Sequence, residues 1–282
     1  MPRDKITINT LREMKAKGEP ITMLTGYDYP MALAEEVAGI EIILIGDSLG
    51  MTIMGMDSTL PVKLDTIIEH CKAVRRGAPT AFLVGDMPYM TYQVSTEEAI
   101  RNAGRIMAEG GVDCVKLEGG RNMADTVRAI VNATIPVMGH IGLTPQSQSQ
   151  LGGFRAQGRD AEAAKAIIED AKALEDAGIC SLLIEAVPPE VCEIIWEILK
   201  VPIISLGSGK RADGQILIVH DMLGFFDRFV PKFVKKYASI HETIVSALGD
   251  YVKDVKGGSF PENKHCYPMK AGEAEKLREL LR

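Results

Sequence analysis

The sequence predicts an α/β fold, a closed (β/α)8 TIM barrel, from three observations. Eight short runs rich in β-forming residues recur along the 282-residue chain, and segments with helical periodicity lie between them. Several of the runs are almost continuously apolar, as expected for parallel strands that are buried on both faces. A length near 280 residues is also usual for one barrel domain.

The eight predicted strands follow one another at regular spacing. Their apolar or β-branched character predicts a strand in each case, and the helical segments between successive strands favour parallel pairing. The runs are 21–25, 41–46, 80–86, 112–118, 135–142, 180–185, 201–207 and 215–219. Eight strands with intervening helices favour a closed barrel, and an open doubly wound sheet is the alternative.

Helical periodicity appears between the strands and again after the last one. The segments between strands include 64–76, 96–109, 122–132 and 160–177, and the later ones are 239–256 and 271–281. Ser95 has the position of an N-cap, and Gly77, Gly110 and Gly178 have positions expected for C-caps. No linker interrupts the pattern, so we expect residues 1–282 to form one barrel domain with extra C-terminal helices.

Composition excludes several classes of protein. A net charge of −6 argues against a nucleic-acid-binding protein. The five cysteines are far apart and odd in number, which argues against a disulfide framework and against a structural zinc site. The N-terminus has no apolar signal-peptide core, and no apolar run is long enough to span a membrane. We therefore expect a cytoplasmic protein without membrane or nucleic-acid partners.

Carboxylates follow or end three neighbouring predicted strands. Asp47 follows the second strand, and Asp86 and Glu118 end the third and the fourth. The carboxyl ends of barrel strands form one rim, where active sites of this fold lie. A cluster of hard oxygen ligands without cysteine suits Mg²⁺, although each carboxylate alone could cap a helix or pair with a basic residue.

Three further polar residues end or lie within the next strands. Lys116 lies on the same side of its strand as Glu118. Acidic neighbours would keep its ammonium charged, which favours a role in binding an anion over a role as a Schiff-base nucleophile. Glu185 ends an apolar strand, which suits a general base, and a helix cap or salt bridge is the alternative. His140 could take part directly in the reaction, or it could contact the metal ligands without binding the metal itself.

Loops around the same rim carry weaker signals. The segment 142–160 is long and rich in glycine, which suggests a lid or a substrate loop. Met51, Met54 and Met56 could line a pocket. The small residues 207–209 could cradle a phosphate, but a tight turn is the simpler interpretation.

Several motifs resemble the ketopantoate hydroxymethyltransferase (3-methyl-2-oxobutanoate hydroxymethyltransferase) family along nearly the whole chain. They include TGYDYP at 25–30, GDSLGM at 46–51, GDMPYMTYQ at 85–93, VKLEGG at 115–120, GHIGLTPQ at 139–146, GGFRAQG at 152–158 and DGQILIVHDMLG at 213–224. Together these motifs are highly specific. The segment LGSGKRADGQ departs from the usual family pattern, which leaves the folate side around 206–212 least defined.

The resemblance implies a barrel of the phosphoenolpyruvate/pyruvate superfamily and a specific reaction. The family transfers a hydroxymethyl group from 5,10-methylenetetrahydrofolate to the 2-keto acid 3-methyl-2-oxobutanoate, giving ketopantoate for pantothenate biosynthesis. It implies Mg²⁺ on Asp47, Asp86 and Glu118, and keto-acid contacts at Asp47, Ser48, Asp86 and Lys116. It also implies Glu185 as the proton acceptor and a homodecamer of five dimers.

Two other functions are compatible with such a rim. A Mg²⁺-dependent C–C lyase or a mutase of the same superfamily would also bind a keto acid at the strand ends. The lyases usually carry a KKCGH-type loop with a catalytic cysteine, which this sequence lacks. A non-catalytic binding protein is the third hypothesis, and the intact set of acidic residues with Lys116 counts against it.

Overall fold

A closed parallel barrel of eight strands forms the centre of the protein. The structure is a computed structural model and describes residues 3–226 and 230–282. The strands are β1 Ile21–Thr25, β2 Ile42–Ile45, β3 Phe82–Asp86, β4 Cys114–Glu118, β5 Val137–Gly142, β6 Ser181–Glu185, β7 Ile203–Leu206 and β8 Gly214–Leu217. They pair in sequence order, and β1 pairs with β8 in the register Met23 to Ile216. The predicted closed barrel is confirmed over the open sheet.

Helices surround the strands. They are α1 Ile8–Lys17, α2 Tyr29–Ala38, α3 Leu49–Thr52, α4 Leu64–Gly77, α5 Thr96–Gly110, α6 Ala124–Asn132, α7 Gln148–Leu151, α8 Ala161–Ala177, α9 Pro189–Ile198, α10 Val219–Met222, α11 Ile240–Gly257 and α12 Glu273–Leu280. The predicted helices at 64–76, 96–109, 160–177 and 239–256 agree with α4, α5, α8 and α11 to within a few residues. No described helix is long and apolar enough to cross a membrane.

Successive side chains along each strand point alternately into two separate hydrophobic cores. On β4, Val115 and Leu117 pack in the core between strands and helices, while Cys114 packs in the core inside the barrel. Lys116 and Glu118 have the parity of Cys114, so the strand directs both polar side chains to the barrel axis. The lower interior is filled by apolar side chains such as Phe82. Lys116 and Glu118 thus lie above this apolar layer, at the upper rim.

Helix ends show where the predicted caps were right and wrong. Ser95 accepts a hydrogen bond from the Glu98 N–H at 3.2 Å, and Gly178 is a left-handed C-cap, both as predicted. The predictions for Gly77 and Gly110 were wrong, because each is the last residue of its helix and the next residue is the cap. A Cβ on Gly77 would lie 2.6 Å from the Tyr29 carbonyl oxygen, so this glycine permits close packing of α2 on α4.

Helix α11 follows the barrel and exposes an apolar face. No residue of this helix is buried. Side chains at helical spacing form the face: Ile244, Val245, Leu248, Tyr251, Val252 and Val255. Leu248 is 60% exposed. An amphipathic helix normally buries such a face against a partner surface.

Candidate active site

The predicted site residues line one cavity at the carboxyl ends of the strands. The cavity has a volume of about 840 Å³. Asp47, Ser48, Asp86, Lys116, Glu118, His140 and Glu185 all lie on its wall. The sequence pattern predicts these residues on one rim of the barrel, and the structure brings all seven of them together.

Asp47, Asp86 and Lys116 form the buried centre of this wall. The Asp47 backbone N–H donates to Asp86 Oδ2 at 3.0 Å. Lys116 Nζ lies 2.8 Å from Asp86 Oδ1, and both side chains are almost inaccessible to solvent. Lys116 therefore pairs with Asp86, the strand-β3 neighbour that the register of β3 and β4 places directly beside it.

Charge is unbalanced in this centre. Burial, followed by repulsion from Asp86 and Glu118, raises the pKa of Asp47 well above its usual range. Burial likewise raises the pKa of Glu118 to about 7. Burial opposes the charge of Lys116, but the attraction of Asp86, Glu118 and Asp47 outweighs it, so the pKa of Lys116 is raised. The ammonium consequently stays protonated among carboxylates that one cation does not neutralise.

The donor set fits a hard divalent cation. Carboxylate oxygens are the ligands that Mg²⁺ prefers, and a further positive charge would offset the repulsion that raises the pKa of Asp47. Within residues 3–226 and 230–282, no group of three or more His, Cys, Asp or Glu side chains has the spacing of a formed metal site. The assignment of Asp47, Asp86 and Glu118 as ligands stays a prediction.

His140 lies between two of the acidic side chains. Its Nε2 is 3.1 Å from Glu185 Oε2, and its Nδ1 is 3.5 Å from Glu118 Oε1. Burial lowers the pKa of His140 and raises the pKa of Glu185. A neutral imidazole carries one N–H, so at neutral pH His140 can donate to one of the two carboxylates at a time.

Ser48 sits where β2 leads into α3. Its hydroxyl forms a hydrogen bond of 2.7 Å with the Tyr27 hydroxyl. Burial raises the pKa of Tyr27 to about 12, so the phenol remains a neutral partner. The side chain of Ser48 is thereby fixed on the cavity wall beside Asp47.

Sequence reasoning missed two residues of the site, Tyr92 and Gln146. The Gln146 side-chain amide donates to Asp47 Oδ2 at 2.9 Å, and its backbone N–H donates to Glu118 Oε2 at 3.0 Å. The Tyr92 hydroxyl lies 2.8 Å from Gln146 Oε1. Both residues are neutral and lie outside the strands, so a search for charged residues at strand ends could not find them. Their presence in two of the motifs, at 85–93 and 139–146, was the available signal.

The loops at the rim have mixed outcomes. The segment 142–160 contains a 3-10 turn at Pro145–Ser147 and the short helix α7, and Phe154, Arg155 and Arg159 from it line the cavity. Met51 and Met56 also line the cavity. Met54 is absent from the wall and is 47% exposed, so its prediction was wrong.

The turn after β7, residues 207–209, forms hydrogen bonds with the end of strand β6. The Ser208 hydroxyl donates to the Ile184 carbonyl at 3.0 Å and accepts from the Val187 N–H at 3.2 Å. Ser208 is fully buried. Its hydroxyl therefore serves the backbone on either side of Glu185, in agreement with the interpretation of 207–209 as a turn.

Sequence comparison finds relatives over almost the entire chain. A family model described as ketopantoate hydroxymethyltransferase matches residues 5–263. A 3-methyl-2-oxobutanoate hydroxymethyltransferase of Heliobacterium modesticaldum is 52% identical over 265 residues, which cover 94% of this chain and 96% of the relative. The protein of the same name from Moorella thermoacetica is 52% identical over 265 residues, covering 94% of this chain and 98% of that one.

Solved structures with low sequence identity share the fold. A phosphonopyruvate hydrolase superposes with a TM-score of 0.62 at 14% identity, covering 98% of this chain and 96% of that one. A 2,3-dimethylmalate lyase of the PEP mutase/isocitrate lyase superfamily superposes with a TM-score of 0.59 at 13% identity, covering 98% of this chain and 99% of that one. These structures show the same barrel architecture, of the type expected from the sequence motifs.

Proposed function

The chain belongs to the ketopantoate hydroxymethyltransferase family, and we propose on this basis that it converts 3-methyl-2-oxobutanoate to ketopantoate. The hydroxymethyl group comes from 5,10-methylenetetrahydrofolate, and the reaction serves pantothenate biosynthesis. The observation that carries the proposal is identity of about one half to proteins of that name over more than nine tenths of the chain. The lyase or mutase alternative is not favoured, because its likeness is confined to the fold.

The buried acidic centre supports a site for Mg²⁺ and the keto acid. Asp47, Asp86 and Glu118 would hold the metal. When bound, Mg²⁺ would supply positive charge that polarises the keto group of the substrate. Lys116 and Ser48 would bind the substrate carboxylate together with the neighbouring backbone, because one offers a fixed charge and the other a hydroxyl held by Tyr27.

Glu185 is the proposed general base. It lines the cavity at the end of β6, where burial raises the pKa of its carboxyl, and a base with a raised pKa is a stronger proton acceptor. Glu185 would remove the proton from C3 of the keto acid, and the resulting carbanion would form the new carbon–carbon bond to the one-carbon unit. One water would supply the hydroxyl oxygen, tetrahydrofolate would be released, and the proton would end on the new hydroxyl group. His140 would orient the Glu185 carboxylate through the contact at Nε2.

The rest of the cavity would receive the folate. A volume of about 840 Å³ exceeds what a five-carbon keto acid fills and matches pockets for drug-sized ligands. Phe154 and Phe233 on its wall offer apolar rings to a flat pterin. Arg155, Arg159 and Lys232 on the same wall carry charges that suit the glutamate end of a folate.

Assembly and location follow from the same proposal. We infer a homo-oligomer, and the family resemblance suggests a decamer of five dimers in the cytoplasm. The exposed apolar face of α11 supports association with a second copy, since such a face is unfavourable in water.

One assay tests the reaction directly. The purified protein is incubated with Mg²⁺, 3-methyl-2-oxobutanoate and 5,10-methylenetetrahydrofolate, and ketopantoate is measured by mass spectrometry. We expect product only when all three are present. In a second experiment without folate, deuterium from D₂O should replace the C3 hydrogen of the keto acid. This exchange reports proton removal alone. Absence of both product and exchange would overturn the proposed function.

A further inference from the structure

Gln146 is a neutral residue that contacts two of the acidic side chains at once. It lies in the 3-10 turn after β5 and is 5% exposed. Its backbone N–H donates to Glu118 Oε2 at 3.0 Å, and its side-chain nitrogen donates to Asp47 Oδ2 at 2.9 Å and to the Met87 carbonyl at 3.0 Å. Every donor of this residue is therefore used.

The surroundings fix the orientation of the Gln146 amide. If the amide were flipped, its oxygen would face a carboxylate oxygen and the Met87 carbonyl oxygen, which are both acceptors. On the other side, Gln146 Oε1 lies 2.8 Å from the Tyr92 hydroxyl. That hydroxyl accepts from the Glu118 N–H at 3.2 Å and can donate to the Glu118 carbonyl at 3.2 Å or to Gln146 Oε1, which is the shorter contact. The amide is held from both ends.

These bonds engage one oxygen of each carboxylate and leave the other available. Among residues 3–226 and 230–282, none donates a hydrogen bond to Asp47 Oδ1. Glu118 Oε1 lies 3.5 Å from His140 Nδ1. Repulsion between two buried carboxylates favours orientations that separate their charges, and these hydrogen bonds oppose such a rotation.

We propose that Gln146 is a positioning residue, held by Tyr92, that orients Asp47 and Glu118 so that one oxygen of each faces the metal position. The role rests on the proposed Mg²⁺ site. Partners of this kind tune metal binding without touching the metal, because they fix the direction of the ligand lone pairs. The same residue joins the loop 142–160 to the acidic centre, so the position of the loop is tied to the ligands.

Gln146→Met tests the proposal, because methionine keeps the length of the side chain and removes its hydrogen bonds to Asp47, Met87 and Tyr92, while the backbone N–H can still donate to Glu118. Mg²⁺ is titrated calorimetrically into the protein with 3-methyl-2-oxobutanoate present. We expect the Mg²⁺ dissociation constant to rise about 10-fold to 100-fold, the usual range for such a partner. At saturating Mg²⁺ the KM for the keto acid should stay near the wild-type value, whereas general damage to the site would raise it.

A second variant and a control complete the experiment. Tyr92→Phe removes one hydroxyl and leaves Gln146 in place, so the Mg²⁺ dissociation constant should rise by less than in Gln146→Met. Gln150→Met makes the same side-chain change at an exposed position of α7 and should bind Mg²⁺ as the wild type does. Wild-type affinity in both Gln146→Met and Tyr92→Phe would overturn the role of Gln146. No Mg²⁺ binding by the wild type would instead overturn the proposed metal site.

Discussion

Lys116 Nζ lies 2.8 Å from Asp86 Oδ1, and this ion pair is buried at the end of the barrel interior. A buried pair of this kind holds both charges in place, since neither group can lose its partner without a large desolvation cost. The pair favours one of the two proposed chemical roles of the lysine, the binding of an anion. An ammonium that carboxylates keep protonated can bind an anion but cannot attack a carbonyl.

Lys116→Arg should therefore keep part of the activity, because arginine retains the positive charge. Lys116→Met should lose about 10²-fold or more in kcat, the effect of removing one preorganised electrostatic group. Borohydride is added to the wild type with 3-methyl-2-oxobutanoate, and the chain is analysed by mass spectrometry. We expect an unmodified chain. A keto-acid mass attached to Lys116 would show that the lysine is a nucleophile.

Asp86→Asn should weaken Mg²⁺ binding while the barrel stays folded. The amide oxygen can still accept from the Asp47 N–H, but the variant loses a charged ligand. We expect a loss of at least about 10-fold to 100-fold in Mg²⁺ affinity, measured by calorimetry. Asp65→Asn, on the exposed side of α4, is the matched control. Equal Mg²⁺ affinity in Asp86→Asn and the wild type would contradict the metal assignment.

Glu185→Gln should bind Mg²⁺ and the keto acid but fail to exchange the C3 hydrogen. The amide fills the same space and cannot accept the proton. Loss of a general base costs on the order of 10² to 10⁴ in rate, which NMR in D₂O can follow. Glu190→Gln, exposed in the first turn of α9, should exchange normally. Normal exchange in Glu185→Gln would move the base to another residue, with His140 the next candidate.

Glu35 should make the stability of the protein depend on pH. Both of its carboxyl oxygens are buried without a hydrogen-bond partner, and burial, followed by repulsion from Asp28, raises its pKa to about 8. The folded state therefore keeps a proton that the unfolded state releases near pH 4.5, so the free energy of unfolding falls as the pH rises from about 4.5 to 8.

Glu35→Gln removes this titration. We expect the variant to gain on the order of 3 to 5 kcal/mol relative to the wild type between pH 5 and pH 9, measured by urea unfolding at both pH values. Glu69→Gln, on the exposed side of α4, should show no such gain. A difference between variant and wild type that does not change with pH would contradict the raised pKa.

Leu248→Asp should reduce the size of the assembly. An aspartate in the middle of the apolar face of α11 would bring a charge into any interface that the face forms. Sedimentation velocity should show a smaller species than the wild type, and Ser246→Asp on the opposite side of the helix should not. Wild-type assembly in Leu248→Asp would exclude this face as an interface.

Periodic features were predictable from the sequence, and features that depend on loop geometry were not. The alternation Cys114, Lys116, Glu118 is fixed by strand geometry, so the rim position of the last two followed once β4 was identified. Gln146 reaches Asp47 because a 3-10 turn directs its side chain inward. No periodic pattern in the sequence predicts that turn. Gly77 looks like a cap in the sequence, because close packing against α2 leaves no local signal.

The pairing of β1 with β8 has a consequence for how the chain folds. Met23 and Ile216 are neighbours in the barrel, yet almost the whole barrel sequence lies between them. Until β8 is available, β1 is an open sheet edge with unsatisfied N–H and C=O groups. Such non-local closure costs chain entropy before it yields contacts, which slows folding. During synthesis, therefore, the nascent chain exposes the β1 edge to aggregation until its last strand has left the ribosome.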